Sequence, residues 1–252
     1  MTKTTSVKKK KSAGAKLSKA ENHALRLPKM PKESFEETQE RFYKVLKELR
    51  KLYPGAKCAL DFNNAYELVV ATILSAQCTD ERVNIVMKEF RKRYPKVQDL
   101  AKANLEELQE VIHSAGFYRQ KSKSLHSMAN DVVEKFGSKI PKTMEELITL
   151  KGVGRKTANV VMGNAFDNAV GIAVDTHVTR VAARLGFTKH TTAEEIEEDL
   201  MKLAKPKDYV DTSHLIILHG RNICEARKPK CSECKVAELC PSFGMKGSDM
   251  NP

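Results

Sequence analysis

From Ser34 onward, apolar residues recur three and four positions apart, and Phe42, Val45, Leu46, Leu49, Leu52 and Tyr53 form the first such stripe. That spacing lines one face of an α-helix, and no strand-like alternation competes with it. A polar residue followed three positions later by an acid satisfies orphan amides at a helix start. The arrangement recurs as Ser34 with Glu37, Asn104 with Glu107, Thr143 with Glu146 and Thr192 with Glu195. Together these signals predict helices near 34–53, 65–76, 80–93, 104–114, 118–136, 143–150, 154–165, 176–185, 192–204 and 207–222. Pro54-Gly55, Tyr94-Pro95, Gly137, Pro141 and Gly186 punctuate them as turn and helix-end residues do. The expected fold class is all-α, without an internal repeat. Past Arg221 the helical pattern gives way to short cysteine-spaced segments that read as a separate small module, with a loose tail behind it.

A chain of 252 residues can bury one good core or two small ones, and two lobes with a cleft between them would suit an enzyme. No run approaches the roughly 18 apolar residues of a membrane span. The lysine-rich N-terminus lacks the apolar centre of a secretory signal. A cytoplasmic monomer is therefore expected, nucleoid-associated if bacterial. The formal charge is +12, yet residues 1–32 alone hold ten Lys or Arg against the single acid Glu21 and so carry +9 of it. The charge predicts a disordered basic tail over 1–33 that attracts phosphates. It does not choose DNA over RNA, a membrane surface or an acidic partner.

The stretch from Leu147 to Ala158, LITLKGVGRKTA, joins two helical segments through a two-glycine turn. Glycine admits a left-handed backbone and close approach of a ligand, and the free amides of the following helix form an anion site. With its flanks, this stretch resembles the helix-hairpin-helix of the base-excision DNA glycosylase superfamily, and of its endonuclease III branch in particular. The resemblance runs from about residue 40 to Cys240. It is most specific in LKGVGRKTANVV (Leu150–Val161), IAVDTHV (Ile172–Val178), LSAQCTD (Leu74–Asp80) and the cysteine cluster. It implies that Lys151, Gly152, Val153, Gly154 and Arg155 contact DNA. Lys151 stands where the family commonly has proline, which removes some turn rigidity and adds a cation. Lys156 matches the family's nucleophile: its amine would attack C1′ of the sugar as the base leaves, giving a Schiff base that permits β-elimination. The neighbouring Arg155, the positive helix end and desolvation by DNA are expected to favour the neutral amine.

Asp175 precedes a helix bearing Val178, Val181, Ala182 and Leu185, so on its own it reads as an N-cap. The resemblance adds a catalytic role, in which its carboxylate stabilises positive charge developing on the sugar and assists proton transfer. A duplex hides the bond to be cut, so such an enzyme extrudes the nucleotide and fills the vacancy. Gln77 matches the family residue that enters the gap. Phe117, after Gly116, lies where an apolar wedge is common, with a ring in place of the more familiar leucine.

Cys224, Cys231, Cys234 and Cys240 fall within one 17-residue stretch, with gaps of six, two and five residues. Such clustering points to a metal site, and thiolates serve Zn and [4Fe–4S] alike. The resemblance implies the [4Fe–4S] cluster, in a structural role. Arg227, Lys228 and Lys230, between the first two ligands, would then be held in one cationic loop for phosphates. The implied architecture is two helical lobes flanking a DNA groove. A six-helix domain spans 58–167, a cluster domain joins 34–57 to 168–245, and 246–252 is a tail. The implied substrate is double-stranded DNA containing a damaged pyrimidine or an abasic site. A monofunctional adenine-type mismatch glycosylase shares the hairpin and cluster, but Lys156 argues against it. Lys156 together with Asp175 argues against a noncatalytic hairpin protein.

Overall fold

The computed structural model describes residues 32–243 and residue 245; both expected tails lie almost wholly outside that range. Among the described residues there is no strand. The chain runs through α1 (Phe35–Leu52), α2 (Ala65–Leu74), α3 (Asp80–Arg93), α4 (Val97–Ala101), α5 (Leu105–Ile112) and α6 (Tyr118–Lys135). It continues through α7 (Met144–Leu147), α8 (Arg155–Ala165), α9 (Thr176–Arg184), α10 (Ala193–Leu203) and α11 (Tyr209–Asn222). Short 3-10 turns follow α5, precede α11 and recur at Cys231–Glu233 and Ala237–Leu239. No described helix is long and apolar enough to cross a membrane.

The predicted starts are found, with one physical difference among the capping boxes. Only Ser34 and Glu37 answer each other reciprocally, with the Ser34 amide donating to Glu37 at 2.8 Å. Asn104, Thr143 and Thr192 accept from the amides three residues on. The acids Glu146 and Glu195 turn instead to the Thr143 and Thr192 hydroxyls. α4, absent from the sequence reading, is a single turn of helix whose opening amide, on Lys96, donates to Asp99.

Apolar stripes close into two cores. One is drawn from α2–α8 and centres on Leu68, Met87, Phe90, Leu108, Leu125 and Val161. The other joins Phe42, Leu46 and Leu49 of α1 to Val178, Ile196, Leu200, Leu215 and Ile216 from the C-terminal helices. Polar ties fasten α1 to that distant partner set: Arg50 pairs with Asp208 at 2.8 Å and Asp211 at 2.6 Å, and Arg41 donates to the Leu185 carbonyl at 2.6 Å. The two lobes meet where α8 touches α11. An ion pair from Arg221 on α11 to Asp80 at the head of α3, 2.8 Å, spans the same divide.

Candidate functional site

The hairpin is built on α7 and α8. Gly152 turns the chain at φ 85°, and a β-carbon there would press on Ser124 at 3.2 Å, so both conformation and space favour glycine. Val153 is buried in the first core, and its amide donates to the Leu150 carbonyl. α8 then starts at Gly154 without a capping side chain, which leaves the amides of Arg155, Lys156 and Thr157 facing outward from a helix N-terminus. Lys156 is exposed in its first turn, and among the described residues its amine has no partner.

Asp175 does cap α9. Its Oδ1 accepts from the His177 amide at 2.8 Å and the Val178 amide at 2.9 Å, while Oδ2 has no partner among the described residues. One oxygen thus fixes the orientation of the carboxylate while the other keeps its accepting capacity. His177 is pushed below the ordinary histidine range, burial being the main cause, and sits 3.2 Å from Arg180.

Gln77 and Phe117 share an unusual backbone. Both are non-glycine residues in the left-handed region, at φ 53° and φ 46°, and both are exposed, Phe117 to 66%. Such conformations are uncommon away from glycine and persist where the surroundings enforce them. Phe117 therefore belongs to neither core.

The four clustered cysteines line one cavity, partly open to solvent, together with Val181, Leu185 and Val236. Among the described residues no three His, Cys, Asp or Glu side chains close on a point as the ligands of one ion do. The thiols stand around a larger space. Burial pushes Cys240 up to about 11 and holds His219, whose Nε2 is 3.6 Å from Cys234 Sγ, down at about 4. Two arginines of α9, both buried, reach this module. Arg184 Nη1 approaches Cys224 Sγ at 3.4 Å and donates to the Glu225 carbonyl at 2.7 Å, and Arg180 donates to the carbonyls of Gly220 and Cys224. Four soft donors around an apolar space, with cationic charge buried alongside, fit a thiolate-ligated anionic cluster.

Residues 70–206 match the HhH-GPD superfamily of base excision DNA repair proteins. The chain is also 52% identical over 204 residues to an endonuclease III of Synechocystis sp., an alignment covering 81% of this chain and 93% of that one. The chain belongs to the HhH-GPD superfamily. A Thermotoga maritima endonuclease III is 41% identical over 60% of this chain and 70% of its own. Among solved structures, a trapped endonuclease III–DNA covalent intermediate superimposes with a TM-score of 0.77 at 39% identity, covering 83% of this chain and 97% of that one. A thermostable thymine-DNA glycosylase, at 22% identity and TM-score 0.74 over 84% and 99% of the two chains, shares the fold.

Three expectations change in this HhH-GPD protein. Arg155 does not stand free beside Lys156: it pairs with the buried Glu197 of α10 through Nε at 2.7 Å and Nη2 at 3.1 Å, so its charge is largely compensated. Val153 offers DNA neither side chain nor amide, both being committed to the core and to Leu150. Lys230, though exposed, is held by Glu225 at 2.9 Å and by the Asn222 carbonyl, leaving Arg227 and Lys228 as the cations of the loop without a partner among the described residues. Glu197, which no sequence pattern marks, also accepts from Asn159 of α8 at 2.8 Å, with Gly171 beside it because a β-carbon would collide with its carboxylate. Arg180 and Arg184 look in sequence like ordinary helix cations, and only the fold shows them buried.

Proposed function

We propose that this base excision repair enzyme is a DNA N-glycosylase and abasic-site lyase acting on duplex DNA with a damaged pyrimidine, with Lys156 as nucleophile. The observation that carries the reading is the Lys156 amine: exposed, unpartnered among the described residues, and set in the first turn of an uncapped helix behind a two-glycine turn. The amides of that turn and Lys151 bind backbone phosphate, as a helix N-terminus does. As the bond from C1′ to the base breaks and its electrons leave with the base, the amine forms a new bond to C1′. The sugar ring opens to an imine. Loss of a proton from C2′ then expels the 3′ phosphate by β-elimination. Asp175, anchored by two amides, keeps Oδ2 for the positive charge that develops on the sugar. Gln77 and Phe117 fill the space of the extruded nucleotide, and Arg227 and Lys228 add phosphate contacts.

Cys224, Cys231, Cys234 and Cys240 are the residues that would hold a [4Fe–4S] cluster, the cavity and the buried arginines being the support for it. The cluster would supply structure, holding the cationic loop in one shape. Resemblance to bacterial repair enzymes supports a cytoplasmic, nucleoid-associated setting.

The reading is tested by mixing the protein with duplex carrying one oxidised pyrimidine in the presence of borohydride. A permanent protein–DNA cross-link is expected with cleavage 3′ to the lesion. Base release that never yields a cross-link would assign the protein to the monofunctional class instead.

Asp175→Asn is expected to slow base release by about 10²–10³-fold, the scale of one well-placed electrostatic group in a water-excluded site. The amide oxygen can still accept from His177 and Val178, so the melting temperature should move little. Single-turnover kinetics beside a thermal melt separate the two effects, and a rate within twofold of wild type would remove the carboxylate's charge from the mechanism.

A further inference from the structure

Lys121 is a buried lysine, 6% exposed, on the apolar stripe of α6 that continues through Leu125, Met128 and Val132. Among the described residues no carboxylate answers it. Its Nζ donates instead to two backbone carbonyls, Leu74 at 2.7 Å and Ala115 at 2.8 Å. Leu74 ends α2 and Ala115 ends the 3-10 turn after α5, so both acceptors belong to helix ends, where unsatisfied carbonyls concentrate negative charge. One ammonium therefore closes two helix C-termini at once. Burial draws its pKa below the usual lysine range, with Cys78 opposing the change.

The place of those carbonyls in the chain gives the contact its meaning. Leu74 stands three residues before Gln77, and Ala115 two residues before Phe117. The two segments approach from separate parts of the chain, and among the described residues no hydrogen bond joins 75–78 directly to 115–117. Lys121 is bonded to both sides, since its own backbone amide also donates to the Phe117 carbonyl at 3.0 Å. Two side chains that enter one vacated base step have to keep their separation to a fraction of an ångström, and residues on different loops hold such a spacing only through a rigid tie. An apolar residue in this position would leave both carbonyls without a partner in the core.

We propose that Lys121 is a positioning residue that sets the spacing of Gln77 and Phe117 and thereby the preference for DNA with an extruded nucleotide over intact duplex. The proposal rests on the reading of those two side chains as the gap-filling pair. It needs no proton transfer by Lys121 and no contact between Lys121 and DNA.

The test is equilibrium binding by the full chain to duplex containing a tetrahydrofuran abasic analogue and to the matching undamaged duplex, measured for wild type, Lys121→Met, Lys121→Gln, Gln77→Ala and Phe117→Ala. Lys121→Met is expected to lower the ratio of the two affinities at least tenfold while affinity for undamaged duplex stays within twofold. Lys121→Gln, which keeps a donor for one carbonyl, should fall between and carries the same comparison if the methionine variant does not fold. Combining Gln77→Ala with the Lys121 variant should lower the ratio no further than the worse single change, because both act on one unit. A ratio unchanged by the Lys121 variants but lowered by Gln77→Ala or Phe117→Ala overturns the positioning role. Equal loss on both duplexes, or full additivity, does the same by marking the effect as general damage. If Gln77→Ala and Phe117→Ala both leave the ratio untouched, the gap-filling reading itself fails and the proposal falls with it.

Discussion

Lys156→Ala should abolish the borohydride cross-link and lower strand cleavage by on the order of 10³ or more, the scale on which removal of a nucleophile is felt. Binding to abasic duplex should survive largely intact. The amides of residues 155–157 do not depend on the side chain, and neither does the Gly152 turn. Because the amine has no partner among the described residues, its loss breaks nothing in the fold, and the melting temperature should be that of wild type. This makes the variant unusually clean: lost chemistry cannot be blamed on lost structure. Gel analysis of reduced reaction mixtures reads the result directly. An alanine variant that cross-links at the wild-type rate would exclude Lys156 as the nucleophile.

The second large effect is expected at the cysteines. Purified protein should be yellow-brown with four iron atoms, and Cys240→Ser should lower stability by about 4 kcal/mol or more, as loss of a structural metal site does. Cys240 is a sensitive choice because its thiol contacts the Arg184 carbonyl at 3.6 Å and lies on the wall shared with the second core. Unligated, that wall would leave four thiols and Arg184 around a largely apolar space. Iron analysis and thermal unfolding measure both halves. Stoichiometric zinc without iron, in protein prepared anaerobically from cells able to assemble clusters, would overturn the assignment.

Local signals carried most of the helical pattern. Ser34, Asn104, Thr143 and Thr192 announce helix starts because a cap acts within three residues, and spacing along the chain records it. Asp175 was legible as a cap for the same reason. α4 was not, since one turn of helix shows no period. The side chains missed in the site act over long separations: Glu197 answers Arg155 from 42 residues away, and Lys121 finds Leu74 at 47. Lys121 did leave one local trace, a cation four residues before Leu125 on a stripe that is otherwise apolar. Arg155 misled because its neighbour in sequence is Lys156, while its partner in space is a carboxylate on α10. Val153 misled in the same way, for the hairpin pattern marks a surface turn and cannot show which of its residues faces inward.

The order in which the chain is made now acquires importance. On the ribosome the first core is an uninterrupted stretch, α2 to α8, and every residue it needs emerges in one run. The second core begins with α1 and ends near the last cysteine, so α1 is among the first helices synthesised and the last to be housed. Arg41 waits 144 residues for Leu185 and 198 for Leu239. Contacts that distant close slowly, because a long loop has to be ordered before they form. A chain that has released α8 but not yet α9 would present the first lobe with its hairpin lysine, while the apolar face of α1 stays uncovered and open to aggregation.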